Sequence, residues 1–234
     1  MVTEAAQMEI WNREYQEIRS IPSSTRRLPS KALLLFEKIL DFNKPRRVLD
    51  AGCGNGRNAV YLGAKGSHVV AVDFSSAALA TVKSEVEPSG IGHRISLEKV
   101  DLLDALPFSD GTFDLCLDSY VSCHFTNNID HTHYWSELSR VTRPGGHIFS
   151  SVFASDDEYY SKLAKNNTSN PLVITDPINK ITKRLYLETD FKSSFSDSLR
   201  IEFFVKFQFY DNVVGNNYLR SLLVILLSKI KAQV

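Results

Sequence analysis

Net charge is the first thing this sequence lacks: 27 lysines and arginines against 27 aspartates and glutamates leave 234 residues formally neutral. Without a basic excess, neither a nucleic-acid groove nor an anionic membrane surface is expected as the main partner, and only a local basic patch stays open. Cysteine is scarce as well. Cys53, Cys116 and Cys123 are odd in number and show neither a CxxC pair nor a zinc spacing, which argues against a disulfide framework and fits a reducing, cytoplasmic setting. The opening "MVTEAAQMEIW" carries acids where a signal peptide needs bases, and no apolar core follows it. The most apolar late run, Leu222 to Leu227, is far shorter than the roughly 20 residues of a bilayer span. No internal repeat or low-complexity tract is evident. These absences leave a single soluble domain, with no membrane partner, as the expectation.

What is present is an alternation of short β-rich runs and helical patterns. Residues 46–50, 68–73, 95–101, 113–118 and 146–153 read as strands, and residues 57–64, 75–86 and 130–141 as the helices between them. That βαβ rhythm specifies a mostly parallel sheet. Residues 1–44 read as an N-terminal helical cap, with one helix near residues 11–18 and another over 30–40, where Leu33, Phe36 and Leu40 fall at helical spacing. Residues 45–153 are the core of the domain. Residues 154–187, polar and containing "KNNTSNP" and "TDPINK", read as a long loop or small insertion. Residues 188–234 hold a short helix capped by Thr189 or Asp190, then two β-rich runs around "DNVVGN" that can pair as an antiparallel hairpin.

The densest signal is Asp50-x-Gly52-x-Gly54-x-Gly56, with a strand before it and a helix after. It departs from the dinucleotide fingerprint GxGxxG in glycine spacing and in the acid that precedes it. A helix N-terminus favours an anion, whereas a carboxylate at the strand end repels phosphate and attracts a cation. A P-loop is excluded because no Lys-Ser or Lys-Thr follows. The second strand ends in Asp73, placed to accept hydrogen bonds from both hydroxyls of a ribose. The third ends near Asp101, which can accept from an exocyclic adenine amine, beside Leu102, which offers backbone and apolar surface to a base. A cationic adenine nucleoside satisfies all three acids.

Here the sequence resembles the class I S-adenosylmethionine-dependent methyltransferases. "VLDAGCGNGRNAVYL", "VAVDFS", "VDLLDALPFSDGTFDLCLD" and "LSRVTRPGGHIF" match that family's successive motifs in order, over roughly residues 11–228. "GCGNGRNAVYL" is also similar to the tellurite-resistance and thiopurine methyltransferase branch. The resemblance implies a doubly wound, Rossmann-like α/β fold: a seven-stranded, mostly parallel sheet with an antiparallel C-terminal hairpin. It implies S-adenosyl-L-methionine as cofactor, approached closely by Gly52, Cys53, Gly54 and Gly56, with Asp50 at the amino-acid end. Asp73 and Phe74 would serve the ribose, and Asp101 with Leu102 the adenine.

The reacting side falls after the fourth strand, in "LDSYVSCHF". Asp118, Ser119 and Tyr120 are expected at the methionine end of the donor, and Cys123, His124 and Phe125 near the acceptor, with packing as the plain alternative for Cys123. His124 is the candidate general base, because an unperturbed imidazole titrates near 6.5. Trp11 and Tyr15, one helical turn apart, are candidates for a lid over donor and acceptor, or for ordinary core. Arg26 and Arg27 read as a solvated basic turn. His131 and His133 on one helix point to different sides, so no metal is expected. Asp130 is the expected cap of that helix, with Trp135, Leu138 and Val141 as its buried stripe. The expected activity is methyl transfer to a small-molecule acceptor by direct in-line displacement. The alternatives are a protein acceptor and a non-catalytic S-adenosylmethionine-binding protein; a nicotinamide oxidoreductase is disfavoured by Asp50. Acceptor identity and oligomeric state stay open.

Overall fold

Alternating apolar residues set the sheet. In the computed structural model, which describes residues 4–44, 46–164, 170–213 and 215–230, Val48 and Leu49 are both fully buried but belong to opposite faces of the strand they share. Strands β1 (Arg47–Ala51), β2 (His68–Asp73), β3 (Ile95–Lys99), β4 (Phe113–Ser119) and β5 (Thr142–Phe153) are parallel. Between β5 and the C-terminal hairpin lie the short strands β6 (Val173–Thr175) and β7 (Thr182–Arg184), followed by β8 (Leu199–Val213) and β9 (Asn216–Lys229). The sheet order is β3-β2-β1-β4-β5-β9-β8, with β9 antiparallel to β5 and to β8. Chain direction across the sheet reverses between β1 and β4, which opens a crevice at their carboxyl ends.

The helices are α1 (Glu4–Arg13), α2 (Pro22–Thr25), α3 (Lys31–Leu34), α4 (Glu37–Leu40), α5 (Arg57–Ala64), α6 (Ser76–Val86), α7 (Asn128–Val141), α8 (Glu158–Ala164) and α9 (Glu188–Lys192). Leu33, Phe36, Leu40, Ala59, Leu62 and Val82 pack on one face of the sheet, and Tyr134, Trp135, Leu138, Val141 and Phe191 on the other. Strand β9 shows why "LLVILL" is apolar throughout: Leu222, Val224 and Leu226 meet the first layer, while Leu223, Ile225 and Leu227 meet the second. Strand β8, at the edge of the sheet, carries Arg200, Glu202, Lys206 and Asp211, charges that discourage pairing with another chain.

Several expectations change. The helix expected over residues 30–40 is two short ones, α3 and α4, which still bury Leu33, Phe36 and Leu40. Strand β3 stops at Lys99, so Asp101 stands in the following turn. The cap of α7 is Asn127, whose side chain accepts from the backbone N–H of Asp130, and α9 starts after Leu187 with no side-chain cap. Within residues 154–187, expected as a long loop or small insertion, lie α8 and the β6–β7 pair, and Tyr160, Ala164, Ile174 and Leu185 pack together there. Most of "KNNTSNP" (165–169), together with residues 1–3 and 231–234 of the terminal segments, lies outside the described residues.

Candidate active site

The glycine turn leaves β1 with Gly52, Gly54 and Gly56 at φ of 63, 56 and 75°. Side chains other than glycine rarely adopt this region, and space forbids them here too. A Cβ on Gly52 would stand 2.6 Å from Val121, one on Gly56 2.6 Å from Val82, and one on Gly54 2.5 Å from the Tyr15 hydroxyl. The turn is therefore pressed between the loop after β4, helix α6 and the N-terminal segment.

Two acids stand beneath it. Asp73 accepts from the backbone N–H groups of Gly54 and Ser75, each at 2.9 Å. Burial raises its pKa to about 6 against the pull of those donors. Asp50 is buried at the end of β1; burial lifts it to about 7, opposed by the N–H of Ala59 and the charge of Arg57, and one carboxylate oxygen has no hydrogen-bond partner among the described residues. A buried orphan oxygen of this kind awaits a donor. Phe74 is half-buried beside Asp73. Asp101 uses its carboxylate to accept from Leu103 N–H at 2.9 Å, a turn-forming bond, and Leu102 is buried in the core below. Arg140, bonded to Glu137, Asp110 and the carbonyls of Leu106 and Phe108, holds that turn's continuation against α7.

Two residues expected at the ligand are committed elsewhere. Asp118 accepts five hydrogen bonds, from Val121 N–H, Ser122 N–H, Ser122 Oγ, Ser150 Oγ and the Tyr134 hydroxyl, so its carboxylate anchors the post-β4 loop to the core. Cys53 donates its N–H to the Val72 carbonyl, and its carbonyl accepts from Gly56; the side chain is packed in the core, where burial raises the thiol pKa. Cys123, expected near the acceptor, is likewise fully buried, its thiol pushed up to about 12 by burial. Period-2 and loop reasoning located these positions but not the direction each side chain takes.

The loop after β4 brings the remaining candidates together. Tyr120 has a left-handed backbone (φ 65°), a conformation found at active-site turns, and stacks on Phe153 with ring centres 5.0 Å apart. His124 is half-buried; its Nδ1 lies 3.1 Å from the Thr182 carbonyl. A carbonyl only accepts, so Nδ1 carries the proton and Nε2 keeps its lone pair. Burial and the nearby charge of Lys183 hold His124 down to about 3, far below the 6.5 of a free imidazole. Trp11 packs edge-on against this ring at 4.9 Å and stacks with Tyr15 at 6.1 Å. The N-terminal segment thus reaches across the crevice from His124 to Gly54.

What secures that segment was not legible beforehand. Residues 14–18 form a π-helix turn that ends at Arg19 with φ 50°. Glu14, fully buried, accepts four hydrogen bonds from Ser20 N–H, Ser20 Oγ, Ile21 N–H and Ser24 Oγ, which ties α1 to the loop that follows. Asn12 accepts from Ser75 Oγ at 2.6 Å, fastening α1 beside Asp73. Arg26, read as a solvated turn, pairs with Asp211 at 2.7 Å, and Arg27 with Glu85 at 2.9 Å. The histidines of α7 have local partners: His131 accepts from Trp135 Nε1, and His133 Nε2 lies 3.3 Å from the Asp104 carbonyl. Among the described residues no cluster of three or more metal-ligating side chains occurs, and no helix is long and apolar enough to cross a membrane.

Residues 48–146 match the family described as a methyltransferase domain. Malonyl-[acyl-carrier protein] O-methyltransferase of Erwinia billingiae is 32% identical over 135 residues, which cover 58% of this chain and 48% of that protein. The chain spans about half the length, or less, of the curated relatives it matches. Among solved structures, an S-adenosylmethionine-dependent methyltransferase of Methanosarcina mazei superposes with a TM-score of 0.71 at 20% identity, covering 82% of this chain and 97% of that one. The 1,6-didemethyltoxoflavin-N1-methyltransferase of Burkholderia thailandensis, solved with 1,6-didemethyltoxoflavin and S-adenosylhomocysteine, gives 0.69 at 16% identity over 99% of this chain and 92% of that one. At such identities the likeness is one of fold.

Proposed function

The chain carries a methyltransferase domain of the class I S-adenosylmethionine-dependent family, and from that premise we propose that it transfers a methyl group from S-adenosylmethionine to a small-molecule acceptor. The observation that carries this reading is the pair Asp50 and Asp73, buried at the carboxyl ends of adjacent parallel strands beside the glycine turn, with one Asp50 carboxylate oxygen left without a partner among the described residues. These residues fit the cofactor. Asp73 would accept from the ribose hydroxyls, Asp50 would answer the positive amino-acid end, Gly52 to Gly56 would allow the backbone close, and Asp101 with Leu102 would flank the adenine. When bound, S-adenosylmethionine supplies a methyl group on a positively charged sulfur.

The rest of the work belongs to the chain. Trp11 and Tyr15 cover the turn and exclude water, and the loop from Tyr120 to Phe125 aligns the acceptor for an in-line approach. Alignment alone is worth about 7–11 kcal/mol in well-oriented reactions. His124 Nε2 can accept a hydrogen bond from an acceptor hydroxyl or amine. A ring held near 3 is a poor holder of a full proton at neutral pH, so we assign His124 to positioning rather than to general-base catalysis. A small acceptor is supported by the 1,6-didemethyltoxoflavin enzyme, whose likeness covers the N-terminal segment and insertion as well as the core. The deciding experiment is an acceptor screen that detects S-adenosylhomocysteine release, preceded by calorimetry with S-adenosylmethionine, S-adenosylhomocysteine and NAD. Saturable NAD binding without S-adenosylmethionine binding would overturn the reading.

A further inference from the structure

Beyond the crevice lies a second cavity, walled by residues 20–26, the insertion and the far end of the hairpin; Arg26, Tyr159, Tyr160, Asp176, Asp211 and Arg220 line it. Arg220 is its unusual feature. The residue is only 5% exposed; its Nε donates to Asp157 at 2.8 Å, and its guanidinium also engages the Tyr160 side chain. Its Nη2, fully enclosed, has no hydrogen-bond partner among the described residues. A buried donor left unpaired costs about 1–3 kcal/mol and calls for an acceptor.

The acids nearby do not fill that role. Asp157 accepts from Tyr160 N–H, Ser221 N–H and Arg220 Nε. Asp211 is paired with Arg26, and Asp176 accepts from Ile178 N–H and the Tyr159 hydroxyl. Aromatic rings hold the guanidinium in place: its carbon lies 5.0 Å from the centres of both Phe153 and Tyr160. Phe153 is also the ring on which Tyr120 stacks, which connects this wall with the loop after β4. Lys183, buried and bonded to the Tyr160 hydroxyl at 2.7 Å, adds a second cation between Arg220 and His124.

We propose that this cavity recognises a carboxylate on the acceptor, which takes the hydrogen bond of the unpaired Arg220 Nη2 and is flanked by the tyrosine rings. The assignment rests on the methyltransferase reading for the word acceptor, but the anion site stands or falls separately. A charged N–H left without an acceptor suits one oxygen of a carboxylate, a charge-assisted hydrogen bond roughly twice as strong as a neutral one. With Asp157 already answering the side chain's charge and Tyr160 engaged as well, Nη2 is the donor left for a ligand.

The test uses the full chain, free and saturated with S-adenosylhomocysteine, and three probes: benzoate, benzyl alcohol and inorganic phosphate. We expect saturable benzoate binding by calorimetry, with a rise in melting temperature that neither other probe produces. Arg220→Lys, which keeps the charge but loses the fork, should weaken benzoate by about tenfold or more without changing S-adenosylhomocysteine affinity. If that variant does not fold, Asp157→Asn with Arg220→Gln removes the ion pair as a unit and should abolish the benzoate response. Equal responses to benzoate and benzyl alcohol, a response to phosphate alone, or wild-type benzoate affinity in either variant would overturn the proposal. Benzoate binding in a protein that ignores S-adenosylhomocysteine would instead defeat the methyltransferase reading and leave the anion site standing.

Discussion

The part of the proposed donor half that runs from Asp50 to Asp73, for the amino-acid end and the ribose, is one continuous stretch of chain: a strand, a turn, a helix and a second strand in parallel register, Asp50 opposite Ala71. The proposed acceptor half draws on Tyr15 from the N-terminal segment, Tyr120 and His124 from the loop after β4, Thr182 and Lys183 from the β6–β7 region, and Arg220 from the hairpin. The first half is held by backbone geometry that local residue types dictate. The second is held by contacts between segments remote in sequence, such as Asn179 Nδ2 donating to Ser20 Oγ at 3.0 Å. One half can therefore be weakened at a single carboxylate, while the other should respond by small steps at many places.

The largest effect is expected at the donor half. Asp73→Ala should weaken S-adenosylhomocysteine binding by about 2–3 kcal/mol, the worth of two hydrogen bonds to a charged acceptor. The same change removes the bonds that Gly54 and Ser75 donate, so the melting temperature should fall too. A folded variant with an unchanged dissociation constant removes Asp73 from the site and erases the contrast between the halves.

A pH series sharpens the contrast next. Burial places Asp73 at about 6 and Asp50 at about 7, both above the ordinary carboxylate range. An acid whose pKa is raised by folding makes the folded state bind protons that the unfolded chain has released. The ligand-free protein should therefore lose stability as pH rises from about 4 through 7. Donor binding should run the opposite way, because a cationic ligand prefers both groups ionised. Affinity should climb by roughly tenfold or more between pH 5.5 and 7.5, with proton release in calorimetry, and the climb should shrink in Asp73→Asn. Affinity flat across this range would leave the two acids out of donor binding.

At the acceptor half a smaller change is expected. His124→Asn should lower kcat on the true acceptor by about tenfold, less than the roughly 10²–10⁴ that a general base supplies. With the ring already neutral through the accessible range, the acidic limb of the pH profile should stay where it is. A loss of a thousandfold, with a limb near 6.5 abolished, would restore His124 as the base and imply that burial is relieved when donor and acceptor bind.

The same division explains what could be read from the sequence. Strand order, the glycine turn and the hairpin follow from period and turn chemistry, and Gly52, Gly54 and Gly56 adopt the positive φ that their spacing suggests. Side-chain direction does not follow so readily. Asp118 ends β4 much as Asp50 ends β1, yet Ser122, Ser150 and Tyr134 turn it into a core anchor. Nothing local marks Arg220, which sits in a run of strand residues, or Glu14, whose four donors lie beyond a turn. Titration is the least legible property of all: His124 is lowered first by burial and then by the charge of Lys183, 59 positions along the chain.

The smallest expected effect concerns the segment that joins the halves. Glu14 binds residues 14–24 into one unit through four hydrogen bonds, whereas Asn12 joins that unit to the core beside Asp73 through one, to Ser75. Besides that bond, the Ser23 carbonyl accepts from Asn55 N–H of the glycine turn and Ser20 Oγ from Asn179, so closure should carry the segment as a body, with the left-handed Arg19 inside it and the glycine turn beneath it. Tyr15 rests against Gly54, in the turn proposed to hold the donor, and closure over that donor should add protection from hydrogen exchange along residues 8–18. Asn12→Ala removes one hydrogen bond worth about 1 kcal/mol, so donor affinity should fall only about fivefold while the gain in protection shrinks. Equal protection of residues 8–18 with and without S-adenosylhomocysteine would make the segment a fixed wall. Donor affinity would then depend on the glycine turn and its acids alone.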